Sequence, residues 1–451
     1  VTQPLSLNSA VARLRGRLGQ LRNSQPPQRC LQLVETVEAP PLLAWLANQQ
    51  LYPKIFWHGR RDGQLVAAVG AAVQLQLPQM PSAEALDRLY NEFLRSNPDG
   101  LMRLYGGVSF DPQQPAWPEF GQARFVLPRL EIRQNGEQAQ LLLALTSDDW
   151  SNDFAEVLAT LGQLQPTAPL PPLAPAAVIS QSECPDQSRW HELIGQVTHP
   201  NFIADTPKVV LSRETVLHSD NLPNPWTTLH SWGLLNPTSY QYGFQFSAEQ
   251  TFISCSPERL YRRLGRELST EALAGTTVRG STEAQDQQLA QALLDDSKNS
   301  HENQLVREHI EQQLAPLADY VGAESSPTIL KLNHIQHLHR DIRAELKAGV
   351  NDLQLLQALH PTPAVGGLPR EAAMSFIRQR EGYERGWYAG ACGYFGANES
   401  EFSVAIRSAR FQPGKVSLYS GAGIVADSDA ASEWQEINNK LTTVLGILHG
   451  L

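Results

Sequence analysis

An α+β protein with a large, mainly antiparallel β-sheet core and surrounding helices is the fold this sequence predicts. Three observations point there. Strand-like runs come as neighbours separated by tight-turn residues. Helical patterns fall between those pairs at uneven intervals, unlike the regular alternation of a parallel α/β sheet. No segment repeats at a fixed period, which removes solenoids and propellers.

The elements follow in chain order. Val1–Asn23 places Val11, Leu14, Leu18 and Leu21 at helical spacing with arginines between them, so it reads as a surface helix. It lacks the continuous apolar centre of a signal peptide. Leu65–Val73 and Arg124–Leu130 are strand-like, and Asn135-Gly136 turns Leu130–Arg133 back onto Gln140–Leu145 as a hairpin. Residues 165–175 hold five prolines in eleven positions, which excludes helix and central strand. This semi-rigid connector divides the chain into 1–177, an N-terminal part of the fold, and 178–451, the region where the chemistry gathers. It marks either a linker or a crossing within one intertwined fold. Beyond it, Ser188–Val197 reads as helix and Lys208–Ser212 as strand. Ser239–Ser247 and Thr251–Cys255 are paired strands, and Leu260–Thr270 turns at Gly265. Thr282–Leu314 reads as one long polar helix. Phe402–Arg407 and Lys415–Tyr419 are strands, and Asp429–Leu448 is the last helix.

The 451 residues are 41% apolar and 18% charged, enough to bury a sizeable core. A formal charge of −10 argues against nucleic acid or an anionic membrane as partner. No stretch is long and apolar enough to span a bilayer. Cys30, Cys184, Cys255 and Cys392 are scattered, with no CxxC pair, which fits a reducing cytoplasm.

Several residues are candidates for chemistry. On the last helix, Glu433, Glu436 and Lys440 share a face, and carboxylates so spaced suit a hard cation. They equally suit a solvated face. Before it, Tyr419-Ser420-Gly421-Ala422-Gly423 reads as a small-residue turn between strand and helix, a place for backbone N–H groups to meet an anion, or a plain turn. Glu302 lies near one helix face with Val306 and His309, as a ligand or as the boundary of an amphipathic helix. Lys208 shares a strand face with Val210 and Ser212. Buried there, it needs a partner or must shed its proton; otherwise it reaches solvent at the strand end. Glu258 follows a strand, and as an acid catalyst it must be protonated at working pH; a surface turn with Arg259 is the alternative. Arg407 ends a strand face of small residues, with room to fork onto a carboxylate, or sits on an exposed edge.

Together and in this order, these stretches resemble the chorismate-utilising enzymes: isochorismate, salicylate, anthranilate and aminodeoxychorismate synthases. The likeness rests on Lys208–Arg213, Ser256-Pro257-Glu258-Arg259-Leu260, Glu271–Thr276, His301-Glu302-Asn303, Gln336-His337, Pro361–Pro369, Trp387–Gly390, Tyr419–Ile424 and Glu433–Lys440. Trp45–Pro53, Ser109–Pro112 and Leu127–Glu131 resemble the N-terminal part of the menaquinone-pathway isochorismate synthases.

The resemblance implies a site for chorismate and Mg2+. It makes Lys208 a general base and Glu258 a general acid. Glu302 and Glu436 become metal ligands, with Glu433 near the ion. Tyr388, Arg407 and the backbone of Gly421, Ala422 and Gly423 hold the substrate's side-chain carboxylate. Lys440 supports the metal end, and Gly275, Thr276, His337 and Ala364 line the ring pocket. Members that add ammonia have glutamine at the place of Lys208. Those that use a covalent lysine have it at the place of Ala274, and salicylate synthases tend to have threonine at the place of Ala364. The expectation is therefore a water-adding isomerase, active as a monomer without an amidotransferase subunit. A salicylate synthase or a non-catalytic binding subunit is the alternative.

Overall fold

The computed structural model describes residues 3–25, 30–60, 63–79, 94, 101–151, 154–332 and 335–450. The first region contributes β1 (Cys30–Val37), β2 (Lys54–His58), β3 (Leu65–Leu77), β4 (Arg103–Val108), β5 (Ala123–Asn135) and β6 (Gln138–Thr146). The second begins with β7 (Val178–Cys184), β8 (Lys208–Ser219), β9 (Tyr240–Gln245), β10 (Thr251–Ser256), β11 (Arg259–Leu264) and β12 (Glu267–Val278). It continues with β13 (Ala318–Ala323), β14 (Thr328–Lys331), β15 (Ile335–Leu346), β16 (Gly367–Leu368), β17 (Ala391–Gly396), β18 (Glu399–Val404), β19 (Ser408–Gln412) and β20 (Lys415–Ile424). Among the described residues these strands join into one sheet, and each pairing between them is antiparallel.

The sheet forks at the long strand β5. One edge of β5 takes β3, and the order runs on through β2, β9, β10, β19, β20 and β8. Its other edge takes β4 and then, further along, β6. From β4 the order continues through β17, β18, β11, β12 and β15. Two of the chain's passages between these arms, from β10 to β11 and from β18 to β19, run side by side. The crossings are bonded to each other: the Val404 N–H donates to the Glu258 carbonyl at 3.1 Å and the Cys255 N–H to the Arg407 carbonyl at 2.9 Å.

Both faces of the central strands are covered. Ile55 and Trp57 enter one hydrophobic core and Phe56 the other; Val66 and Ala68 split from Ala67 and Val69 in the same way. Alternate side chains point to opposite faces, so apolar residues on both explain the unbroken apolar runs. The first core carries an aromatic cluster around Trp387, with Phe120 at 5.1 Å and Phe244 at 5.5 Å between ring centroids. The second is roofed by helices Leu7–Leu21, which buries Ala10, Leu14 and Leu18, and Ala430–His449. Val1 and Thr2 lie outside the described residues.

Three expected elements differ. The 282–314 helix is two helices, Glu283–Asp295 and Ser297–Leu314. Asp296 between them is extended, and its carboxylate accepts from the Asn299 N–H, starting the second helix as an N-cap. The strand expected over 402–407 stops at Val404, and Arg407 takes a left-handed φ of +48°. The backbone turns there because β18 pairs with β11 while β19 must pair with β10. The Gly421–Gly423 stretch is no turn but part of β20, bonded along β8 with Gly421 opposite Ser212 and Gly423 opposite Val210.

Strands on either side of the proline connector pair with each other, β2 with β9 and β4 with β17. The connector is itself held, since Asn48 donates to the Pro166 carbonyl and Thr227 to that of Pro171. Cleavage at a protease site engineered within 165–175 is therefore expected to leave two pieces that co-elute in size-exclusion chromatography and part only in denaturant. Separation in native buffer would contradict this arrangement.

Candidate active site

One cleft holds about 870 Å³ of free space counted out through its open mouth. It gathers residues from both arms of the sheet. β20 brings Gly421 and Gly423, β12 brings Gly275 and Thr276, and β15 brings His337. The two crossings bring Glu258 and Arg407, helix Ser297–Leu314 brings Glu302, and helix Ala430–His449 brings Glu433, Glu436 and Lys440. Ala364 and Tyr388 also stand at its wall.

Lys208 lies just behind this lining. It is fully buried, and its Nζ stands 2.8 Å from Glu302 Oε1. The geometry gives an ion pair without an aligned hydrogen bond. A Cβ placed on Gly423 would sit 2.5 Å from that Glu302 oxygen and 3.1 Å from Lys208 Cε, so the pair fits only over a glycine. Ala422 does not line the cleft. Strand alternation turns it away from its glycine neighbours, and it packs into the core. Gly421 leaves room for the Tyr388 hydroxyl, 3.0 Å from where a Cβ would be, and Lys440 Nζ donates to the Gly421 carbonyl at 2.8 Å.

The ring side of the cleft is shaped by a bulge. On β12, Leu273 faces His339 and Thr276 faces His337, so Ala274 and Gly275 stand against Leu338 alone. Gly275 takes φ +87°, a conformation glycine adopts freely. Asn303 is fully buried, and its amide donates to the carbonyls of Ala272, Ala274 and Leu338 at 3.2–3.3 Å. Asn299 Oδ1 accepts the Thr276 N–H at 3.3 Å. The helix that carries Glu302 is thereby bolted to the bulge that carries Thr276. Thr276 Oγ1 meets His337 Nδ1 at 2.9 Å.

Electrostatics divide the ionisable groups. Burial, then the nearby Glu271 carboxylate, push the Glu258 carboxyl up to about 8, against Lys208 and Arg60. At neutral pH it holds its proton. Burial, with Arg407 and Lys440 close by, lowers His337 to about 3 and keeps it neutral. Burial raises Tyr388 to about 12. Arg407 is desolvated, and its guanidinium has no ion-pair partner among the described residues.

The other three glutamates each have a lysine Nζ close by: Glu302 that of Lys208, Glu433 that of Lys298 at 3.2 Å, and Glu436 that of Lys440 at 2.6 Å, while burial and then Glu436 raise the Glu433 carboxyl. These are hard oxygen donors facing one cleft from two helices, a set that fits Mg2+. They do not converge to within 4.8 Å as a trio. The trio that does, Glu271, His339 and Asp341, is a poor cation site. Glu271 already accepts from Arg60, from the Arg259 N–H and from His339, and a guanidinium repels a metal.

Sequence reasoning missed Lys298, although it stands one helical turn before Glu302 and so on the same face. It also missed Asn299 and Asn303, whose roles exist only because β12 bulges. Arg60, behind Glu258, comes from the other region of the chain and carried no local signal.

Glu258 binds its proton more tightly in the folded chain than in the unfolded one. Between about pH 4.5 and 8 folding therefore takes up a proton, and stability falls as pH rises across that window. Glu258→Gln carries no such dependence. Denaturant melts are expected to show the variant gaining on wild type between pH 5 and pH 8, by on the order of a few kcal/mol. An unchanged gap would mean that the carboxyl is not perturbed.

Known proteins share this architecture. A family model described as "Chorismate binding enzyme" matches residues 16–449. The chain is 36% identical over 438 residues to the isochorismate synthase MenF of Escherichia coli (strain K12), covering 96% of this chain and 97% of that protein. It is 36% identical over 350 residues to the salicylate biosynthesis isochorismate synthase of Pseudomonas aeruginosa, covering 76% of this chain and 73% of that one. Among solved structures it is similar to the menaquinone-specific isochorismate synthase MenF from Escherichia coli. The TM-score is 0.85 at 34% identity, covering 98% of this chain and 99% of that one.

Proposed function

The chain belongs to the chorismate-binding enzyme family, and from that premise we propose that it is an isochorismate synthase, an isomerase that turns chorismate into isochorismate for menaquinone synthesis. The observation that carries this reading is a carboxyl kept protonated near neutral pH, that of Glu258, in a cleft with the buried Lys208 just behind its lining. Displacing one ring hydroxyl by water needs one group to take a proton and another to give one. Lys208 is the base. It accepts a proton from water as the water oxygen bonds to ring C2. The two ring double bonds shift and the C4–O bond breaks. Glu258 gives its proton to the departing oxygen, which leaves as water. One water enters and one leaves, so the net change is an isomerisation, and the reverse reaction exchanges the two roles.

Chorismate carries two carboxylates. Arg407, free of any ion-pair partner among the described residues, and the Tyr388 hydroxyl receive the side-chain carboxylate beside the Gly421–Gly423 backbone. Glu302 and Glu436, with Glu433 beside them, are the donors that would hold Mg2+. When bound, the ion neutralises and anchors the ring carboxylate. Thr276 and neutral His337 line the ring, and Ala364 stands at its edge. Ala274 at the bulge has no nucleophile, so no covalent adduct forms there. The two regions, 1–177 and 178–451, act as one unit. The enzyme works as a single chain in the cytoplasm without an amidotransferase subunit, and four free thiols suit that compartment.

With chorismate and Mg2+, chromatography is expected to show isochorismate and neither salicylate nor pyruvate. EDTA should stop the reaction and added Mg2+ restore it. Pyruvate would indicate a salicylate synthase, and binding without turnover a non-catalytic subunit. Lys208→Gln and Glu258→Gln should each lower kcat by about 10²–10⁴-fold, and near-normal turnover in either would end the assignment. Gly423→Ala should also cost most of the activity, because the added methyl pushes Glu302 off Lys208. A Gly423→Ala enzyme of wild-type rate would show that this ion pair does not matter.

A further inference from the structure

Glu258 sits on a short strap, Ser256–Arg259, that carries the chain from one arm of the sheet to the other. The front of the strap is held by its neighbours: Ser403 Oγ and the Val404 N–H both donate to the Glu258 carbonyl. Its back rests on two charged groups that line no part of the cleft. Arg60, on the turn after β2, donates one guanidinium N–H to the Pro257 carbonyl and another to Glu271. Glu271, on β12, takes the Arg259 N–H at 2.8 Å through its other oxygen, and His339 Nε2 lies 2.9 Å away. Both side chains are almost wholly buried. The residues before and after the acid are thus pinned by one ion pair, and one of its members comes from the first region of the chain.

We propose that Arg60 and Glu271 are positioning residues for Glu258: they clamp the strap from behind and set the charge that the acid feels. The inference rests on the reading of Glu258 as the general acid. The groups facing that carboxyl are Lys208 on β8, Arg60 after β2, Glu271 on β12, Arg407 on the second crossing, and the Thr362 hydroxyl. Burial is the largest influence that keeps the proton on; Glu271 is the one anion among these neighbours and acts the same way, while Lys208 and Arg60 act to remove it. Glu271 itself stays ionised despite its burial, because Arg60 and His339 outweigh the desolvation. A fixed anion behind a buried acid makes that acid reluctant to ionise.

The test is the pH dependence of kcat/KM for isochorismate formation by the Mg2+-loaded enzyme. Glu258→Gln must first abolish turnover; if it does not, the acid assignment fails, and this inference with it. Given that loss, Glu271→Gln is expected to move the alkaline limb down by about one pH unit, and Arg60→Gln to move it up. Glu271→Asp, which keeps the charge, should leave it in place. A purely structural role would lower rates without moving the limb in opposite directions. Limbs unmoved in both glutamine variants would overturn the inference. Should either single variant fail to fold around its unpaired charge, Arg60→Gln/Glu271→Gln removes both charges together. That enzyme is expected to lose kcat about tenfold with KM within about twofold of wild type, and wild-type kcat would overturn the inference equally.

Discussion

A fully buried lysine amine must have a polar partner at its side, and in this protein the rest of the site is arranged around that requirement. Lys208 is sealed on β8, and Glu302 answers it from a helix at 2.8 Å. The contact ties a helix to a sheet at one point. To let Glu302 reach, β20 must present a glycine at 423. To keep Glu302 in place, its helix is fastened through Asn299 and Asn303 to the bulge on β12. The bulge in turn aims Thr276 and His337. A single buried amine thus constrains four elements.

The same principle sorts the carboxylates. Glu302, Glu433 and Glu436 each keep a lysine Nζ within ion-pair distance. Among the described residues Glu258 has no such partner; it is deeply buried and has Glu271 behind it, so it stays protonated near neutral pH. Four glutamates in one cleft thus differ, three standing beside a lysine and one kept as an acid, and the difference comes from surroundings rather than residue type. The aromatic core around Trp387 and Tyr419 supplies the stiffness beneath. Tyr388 stacks on Tyr419 with centroids 4.9 Å apart, which holds the hydroxyl beside Gly421.

Much of this was legible in the residues. The Asn135-Gly136 hairpin, the paired strands around 240–256, the Gly265 turn and the last helix all obey local rules, and each is found within a few residues of its expected bounds. The helix face of Glu433, Glu436 and Lys440 follows from helical spacing, and all three line the cleft. Where the reading failed, a local cap or a long-range partner had decided. Thr282–Leu314 has no strong breaker, yet Asp296 caps a new helix. Arg407 follows a strand pattern, but the chain must change arms there and takes a left-handed turn instead. Gly421–Gly423 has the composition of a loop, and β8 zips it into a strand whose missing side chains make room for Glu302 and Tyr388.

By itself the sequence determined the antiparallel α+β class, the order of the motifs and nearly every chemical group the cleft contains. Those properties depend on periodicity and residue type, which are written along the chain. Only the tertiary structure decided which carboxyl keeps its proton, which glycine gives up its space, and that Arg60 stands behind the acid from about two hundred residues away. Burial and charge proximity set proton affinity, and both are properties of the folded volume that no local stretch of residues contains.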